Sequence, residues 1–332
     1  MYKRYKISNE GAMTNRRILK SEIIIKSPSR LHLGFYGIPE SYGYTYGSMG
    51  LAIDYAPVIL SIKNSSKFKT NLPKKYTSSV LKYLETIKTK PKIELTALSM
   101  PDSHIGLGSG TQITLSVISA INKFFSLNLS YDEILKISSR GLRSGTGIAS
   151  FKKGGFIVDA CKSGDKIPKI LLQTKLPKSW RLILVNDKKS RGQFGKPELD
   201  FFNKTKKQKS LFNELPNIVL RGILPSVLYD EFDKFTIAFN EFQNLTSRYY
   251  SPKQSSPFIS KDINIIMNYI QKEHNVAVGQ SSWGPLSYIF TNSLDNAKKI
   301  RNILEKNYCN YKNLTYTIVR PSNTGHTFKY NI

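Results

Sequence analysis

Acidic side chains are scarce in this chain. Fifty lysines and arginines face 23 aspartates and glutamates, a formal net charge of +27 over 332 residues. Cysteine is scarcer still. Cys161 and Cys309 lie far apart, with no metal-ligand spacing, so a disulfide framework and a cysteine-based metal site are both excluded. Two free thiols fit a reducing cytoplasm. No apolar run approaches membrane-spanning length. The first twenty residues are basic but lack an apolar core, which argues against a secretory signal. They are expected to form a disordered extension, with Met13 as an alternative start.

The length allows about two domains and a sizeable core. A 40% apolar, 22% charged composition is that of a globular protein. The positive charge has three readings. Lysine-rich composition puts charge on a solvated surface; a positive field draws in polyanionic substrates; or the chain binds nucleic acid. The lysines are spread out and no nucleic-acid-binding motif accompanies them, so nucleic acid is not the expected partner.

Strand patterning is expected at 21–36, 51–54, 58–62, 92–96, 156–159, 181–185 and 316–320, with a further apolar strand inside 277–290. Helical spacing is expected at 76–88, 111–125, 211–242 (interrupted near Pro225), 263–273 and 296–306. Ser130 and Glu133 form a capping box for another helix. Strands and helices interleave without strict alternation, which predicts an α+β fold. The change in composition over 164–178 suggests an N-terminal unit at 21–170 and a C-terminal unit at 171–332.

The richest stretch is 101–112, PDSHIGLGSGTQ. Gly106, Gly108 and Gly110 alternate with small or apolar residues where a helix should begin. Without Cβ atoms the backbone turns tightly and its N–H groups approach a ligand. The first-turn amides lack partners and the helix dipole is positive there. Such a loop suits phosphate. It is not a Walker A loop, because no Gly-Lys-Ser/Thr follows.

Further motifs accompany it: SRLHLG at 29–34, YGSMGLAI at 46–53, SGTGI at 144–148 with GGFIVD at 154–159, and SSWGP at 281–285. The phosphate loop resembles that of the superfamily of galactokinase, homoserine kinase, mevalonate kinase and phosphomevalonate kinase (GHMP). The whole set, from about Ile23 to His326, resembles the β-ribofuranosylaminobenzene 5′-phosphate synthase family of archaeal methanopterin biosynthesis. The resemblance implies a two-domain GHMP-kinase-like fold, with an N-terminal ribosomal-protein-like β-α-β domain and a C-terminal ferredoxin-like domain. It also implies decarboxylating transfer of a phosphoribosyl group from 5-phosphoribosyl 1-pyrophosphate to 4-hydroxybenzoate or 4-aminobenzoate. Mg²⁺ is the implied cofactor; a cytoplasmic enzyme with small-molecule substrates and no membrane partner is expected, and a homodimer is left open.

On that resemblance, Gly106, Gly108, Ser109, Gly110 and Thr111 hold pyrophosphate, with His104 and Ser144 beside them. Ser109 and Thr111 also orient Mg²⁺, which keeps several waters and binds largely through substrate phosphates. Arg30 and His32 sit two apart on a strand and so share a side. Arg30 suits a carboxylate or phosphate, and His32 can move a proton near neutral pH. Asp159 is read as an acid or Mg²⁺ ligand, against a plain strand-end turn. Trp283 offers a face for the aromatic acid, against an ordinary core role. Arg191, Gly192, Glu198, Phe201 and Phe202 match a family loop only faintly. Arg320, Asn323, Gly325 and His326 fall in a closing strand and loop.

The stretch 144–150 carries no carboxylate. A hydroxyl-phosphorylating kinase needs a base to activate its acceptor; ring substitution does not. An ATP-dependent kinase on the same fold remains the first alternative, and a basic nucleic-acid-binding protein the second.

Overall fold

The computed structural model describes residues 22–37, 41–86, 92–102, 105–190, 209–250, 257–282 and 284–331. The expected extension at 1–20, His104, Trp283 and the 191–202 loop lie outside the described residues.

The strands are β1 (Glu22–Phe35), β2 (Tyr44–Thr45), β3 (Ser48–Asn64), β4 (Lys69–Thr70), β5 (Ile93–Ser99), β6 (Phe156–Asp159), β7 (Lys162–Ser163), β8 (Ile170–Thr174), β9 (Arg181–Asp187), β10 (Ala277–Gln280), β11 (Leu286–Thr291), β12 (Leu314–Val319) and β13 (Thr327–Asn331). The helices are α1 (Lys74–Thr86), α2 (Ser109–Phe124), α3 (Tyr131–Ser138), α4 (Thr146–Lys153), α5 (Lys209–Ile218), α6 (Leu224–Leu228), α7 (Phe232–Tyr250), α8 (Lys261–Glu273) and α9 (Leu294–Asn307).

Two long strands organise the first sheet, whose path is β13-β1-β3-β5-β4. β3 is long enough to serve two neighbours on one edge. Met49–Leu51 pairs with β6, and Ile59–Asn64 pairs with β5. β8 extends the sheet beyond β6. One face carries Ile23, Ile25, Leu60 and Ile62, packed against Val80 and Leu84 of α1, Ile113 and Val117 of α2 and Phe151 of α4. The other carries Leu31, Leu33, Met49 and Leu51, packed against Phe235, Phe239 and Phe242 of α7 and Leu182, Tyr288 and Phe290 of the second sheet. β1 thus has apolar side chains on both faces, and it lies at the centre of the molecule.

The second sheet has the order β10-β11-β9-β12, all antiparallel. Its sequence of strand, helices, two strands, helix and strand, in that spatial order, is the ferredoxin-like arrangement. α8 and α9 cover Ile183, Val185, Val278 and Ile289. The chain then returns, and β13 pairs with β1 in the first sheet.

Several elements differ from expectation. The strands at 51–54 and 58–62 are one strand: register slips between Ser27 and Ser29, and Ala56 takes a positive φ of 41°. The residues around Pro57, which has no N–H to donate, bulge out without ending the pairing. The glycine-rich run at 140–155 contains helix α4. The break in 211–242 falls at Asp230, with φ 58°, not at Pro225. Pro225 is accommodated in the first turn of α6, directly after a π-turn at Val219–Ile223. The Ser130 capping box is present, with Ser130 and Glu133 bonding reciprocally. Among the described residues, no helix is long and apolar enough to cross a membrane.

Candidate active site

The glycine loop runs between β5 and α2 and is clamped from two sides. Gly108 is the N-cap of α2 and adopts φ 65°, a left-handed conformation that glycine takes without strain. The N–H of Arg30 donates to the carbonyl of Leu107 at 3.0 Å, which ties the loop to β1. On the other side the Ser281 hydroxyl donates to the carbonyl of Gly106 at 2.6 Å and accepts from the N–H of His32 at 3.0 Å. One hydroxyl from the second sheet therefore locks loop and strand together. Gly284 makes this approach possible, since a Cβ there would fall 2.8 Å from Gly106 Cα.

A second helix start stands beside the first. The side-chain amide of Gln112, in the first turn of α2, donates to the carbonyl of Gly147 in the first turn of α4 at 2.9 Å. A Cβ built on Gly147 would lie 3.3 Å from Thr111 Cγ2 and 3.6 Å from Arg30 Nη2. A Cβ built on Gly108 would lie 3.5 Å from Arg30 Nε. The guanidinium of Arg30 thus lies against the starts of both α2 and α4. Arg140 approaches Gly110 and donates to Thr114 Oγ1 at 3.1 Å. Partial positive charge from two helices and whole charges from two arginines converge on one small volume. Such an arrangement favours a negative charge.

His32 adjoins it. The ring is 4% exposed, and neither ring nitrogen has a hydrogen-bond partner. Burial, reinforced by the charges of Arg30 and Arg143, pushes the imidazole well below its ordinary 6.5. It is therefore neutral at neutral pH. Its ring packs on Phe35 with centroids 4.4 Å apart. His32 also lines a small hollow with Gln243, Thr246, Gln280 and Ser282. Thr246 Oγ1 is likewise buried and without a partner. Gln243 and Gln280 donate to the backbone at Leu33 and Ser282, at 2.7 and 2.9 Å.

Asp159 is 1% exposed, and hydrogen bonds occupy both of its oxygens. Oδ1 accepts from the N–H of Ser48 at 2.6 Å; Oδ2 accepts from the Ser48 hydroxyl at 2.8 Å and from the N–H of Gly145. Burial raises its pKa to about 6, against the pull of these bonds. The Ser144 hydroxyl lies 2.7 Å from those of both Ser48 and Thr146. Asp159 and Ser144 therefore hold the start of α4 in place. Among the described residues, no group of three or more His, Cys, Asp or Glu side chains is placed to hold a metal ion.

Arg30, His32, Gly106, Gly108, Ser109, Gly110 and Thr111 are brought together. Asp159 and Ser144 join them from beneath α4. Sequence reasoning gave no site role to Ser48, Gln112, Arg140, Arg143, Thr246 or Ser281. Ser48, Gln112 and Ser281 lie inside the motifs at 46–53, 101–112 and 281–285, and neighbouring glycines marked Arg140 and Arg143; Thr246 had no local signal.

Residues 71–160 match the family described as GHMP kinases N terminal domain. The fold matches homoserine kinase from Cytophaga hutchinsonii over 96% of this chain and 100% of that one, with a TM-score of 0.67 and 15% identity. It matches mevalonate diphosphate decarboxylase from Staphylococcus aureus over 93% and 98%, with a TM-score of 0.69 and 12% identity. The chain has the GHMP kinase fold. In sequence it is similar to the beta-ribofuranosylphenol 5'-phosphate synthase of Methanocaldococcus jannaschii, at 28% identity over 92% of this chain and 99% of the relative. The enzyme of the same name from Methanothermobacter thermautotrophicus is 26% identical, over 81% and 89%.

Proposed function

We propose that this protein joins 5-phosphoribosyl 1-pyrophosphate to 4-hydroxybenzoate, giving a β-ribofuranosylphenol 5′-phosphate in methanopterin-type cofactor biosynthesis. The observation that carries the reading is the position of Arg30, against two helix starts and beside a neutral, buried His32. The similar archaeal enzymes are named for a ribofuranosylphenol product, which favours the hydroxybenzoate over the aminobenzoate. The unpaired Cys161 and Cys309 suit a cytoplasmic setting.

Ionisation of the donor breaks the bond between the anomeric carbon and pyrophosphate. The leaving group takes the electron pair, and cationic character develops on the sugar. The amides at the starts of α2 and α4, with Arg30 and Arg140, meet that growing negative charge without reorganising. The ring carbon that bears the carboxylate supplies a π electron pair and forms the new carbon–carbon bond. Its bond to the carboxylate then breaks, carbon dioxide leaves, and that electron pair restores the aromatic ring. No acceptor hydroxyl acts as the nucleophile, so no carboxylate base is required. A kinase would need one, and both oxygens of Asp159 are already engaged by Ser48 and Gly145.

His32 and Thr246 give the phenol hydroxyl two buried groups in need of a partner. A neutral imidazole accepts or donates there without adding charge. Ser109 and Thr111 supply two hydroxyls and no carboxylate, a donor set that fits Mg²⁺ held mainly by phosphate and water. The bound ion would supply neutralising charge to the pyrophosphate.

The test is purified protein with the donor, Mg²⁺ and carboxyl-labelled 4-hydroxybenzoate. Labelled carbon dioxide and pyrophosphate should appear in equal amounts, and more slowly with 4-aminobenzoate. Absence of labelled gas with both acids, or consumption of ATP with a metabolite hydroxyl instead, would defeat the reading.

A further inference from the structure

A second cavity, of about 570 Å³, opens where the closing loop of the chain meets the start of β9. It shares no lining residue with the hollow beside His32, and no part of the glycine loop reaches it. Its walls carry Lys26, Lys178, Arg181 and Arg320 against a single carboxylate, Asp54. We propose that this cavity is a binding site for a small phosphorylated or similarly polyanionic molecule, separate from the catalytic site.

Scattered lysines elsewhere on this basic chain do not make a site; here Arg320, Lys26 and Arg181 are held in place. Arg320 donates through Nε and Nη2 to Asp54 Oδ2 at 3.0 and 2.7 Å. Lys26 Nζ lies 3.8 Å from the other Asp54 oxygen. Arg181 Nη1 donates to the carbonyls of Lys178, Ser179 and Trp180 at 2.7, 3.1 and 2.8 Å. Such anchoring removes much of the side-chain entropy that an exposed arginine otherwise loses on binding.

The walls are fixed as well. Asn323 accepts from the N–H of Leu176 at 3.0 Å and donates to its carbonyl at 2.9 Å, pinning the closing loop to the segment that leads into β9. Ser322 donates its N–H to Ala52 at 2.8 Å and accepts from the N–H of Gly155 at 2.7 Å. One carboxylate among four cations leaves an excess of positive charge in a concave, preformed space. Such a space concentrates field on an anion. Arginine's planar fork matches phosphate geometry.

Calorimetric titration of the full chain with inorganic pyrophosphate, at ~0.15 M salt to screen distant charges, tests this. Two saturable events are expected, one for each site. Lys178→Glu and Arg181→Gln should each weaken one event by about tenfold or more, the scale of one lost charge-assisted contact. Gly108→Ala should weaken the other. Lys178→Glu breaks no side-chain hydrogen bond of the fold, so it serves even if Arg181→Gln folds poorly. The double change Lys298→Glu with Lys299→Glu, on the exposed face of α9, makes twice the charge change of Lys178→Glu away from the cavity and should alter neither event. The proposal is overturned if Lys178→Glu leaves both events intact, if the α9 change weakens binding equally, or if only the event sensitive to Gly108→Ala is seen. The last result would leave the catalytic reading standing.

Discussion

The side-chain amide of Gln112 reaches from α2 to the carbonyl of Gly147 in α4, 2.9 Å away and wholly buried. That single bond sets the spacing of the two helix starts. Gln112→Leu would remove this buried hydrogen bond, at a cost of about 0.5–1.5 kcal/mol. Thermal unfolding should register that loss. Steady-state kinetics should show a larger fall in kcat/KM for the phosphoribosyl donor than for the aromatic acid. Equal falls for both would mean that the bond serves stability alone.

The glycines of the phosphate loop are not equivalent. Gly106 has φ 101°, and a Cβ there would lie 3.0 Å from the carbonyl oxygen of Ser281. Gly110 is helical, and its nearest neighbours to a new Cβ are at 3.7 and 3.9 Å. Gly106→Ala should therefore destabilise the fold by ~1–2 kcal/mol or more through its backbone alone. Gly110→Ala should hold or raise stability, by up to about 1 kcal/mol from helix propensity. Paired melting curves decide this.

His32 is neutral in the folded protein because its pKa is depressed below 6.5. The unfolded chain binds the proton first as pH falls. The stability this histidine contributes is fully present above 6.5 and is lost as pH drops from there toward the folded value. Activity should be flat from pH 8 through 6.5 as far as this group is concerned. His32→Gln should lower kcat by about a hundredfold if the ring moves a proton, and should flatten the acid limb of the pH profile. An unchanged acid limb would assign that limb elsewhere.

Asp159 has the opposite sign. Its pKa rises from 3.8 to about 6 on folding. The folded state then holds the proton more tightly, so the stabilisation is full below 3.8 and is lost as pH rises through about 6. The difference in melting temperature between the natural protein and Asp159→Asn should shrink from pH 4 to pH 7. The full swing is on the order of 3 kcal/mol. A difference independent of pH would show that the carboxyl does not titrate in this window.

The pairing of Arg30 with His32 was legible because strand alternation puts residues two apart on one side. The start of α2 was legible because glycines precede an apolar helical stripe. Helix α4 was not, because Gly145, Gly147 and Gly154 read as loop. Two of those glycines have packing reasons: a Cβ on Gly147 would press on Thr111, and one on Gly154 would lie 2.4 Å from the carbonyl oxygen of Thr324. The kink of β3 at Ala56 split one strand into two because local periodicity cannot see a partner strand that continues past a bulge. Thr246 was invisible as a site residue for a simpler reason: it comes more than 200 positions beyond His32, with no motif around it. Ser281 opens the motif at 281–285, but nothing local told that its hydroxyl would meet His32 and Gly106.

Because β13 completes an edge of the first sheet, translation must carry the chain through Asn331 before β1 gains both of its neighbours. β1 thus waits, one side uncovered, while the entire ferredoxin-like unit is synthesised. A nascent chain halted anywhere in that interval exposes an open strand edge, the kind of surface that chaperones shield.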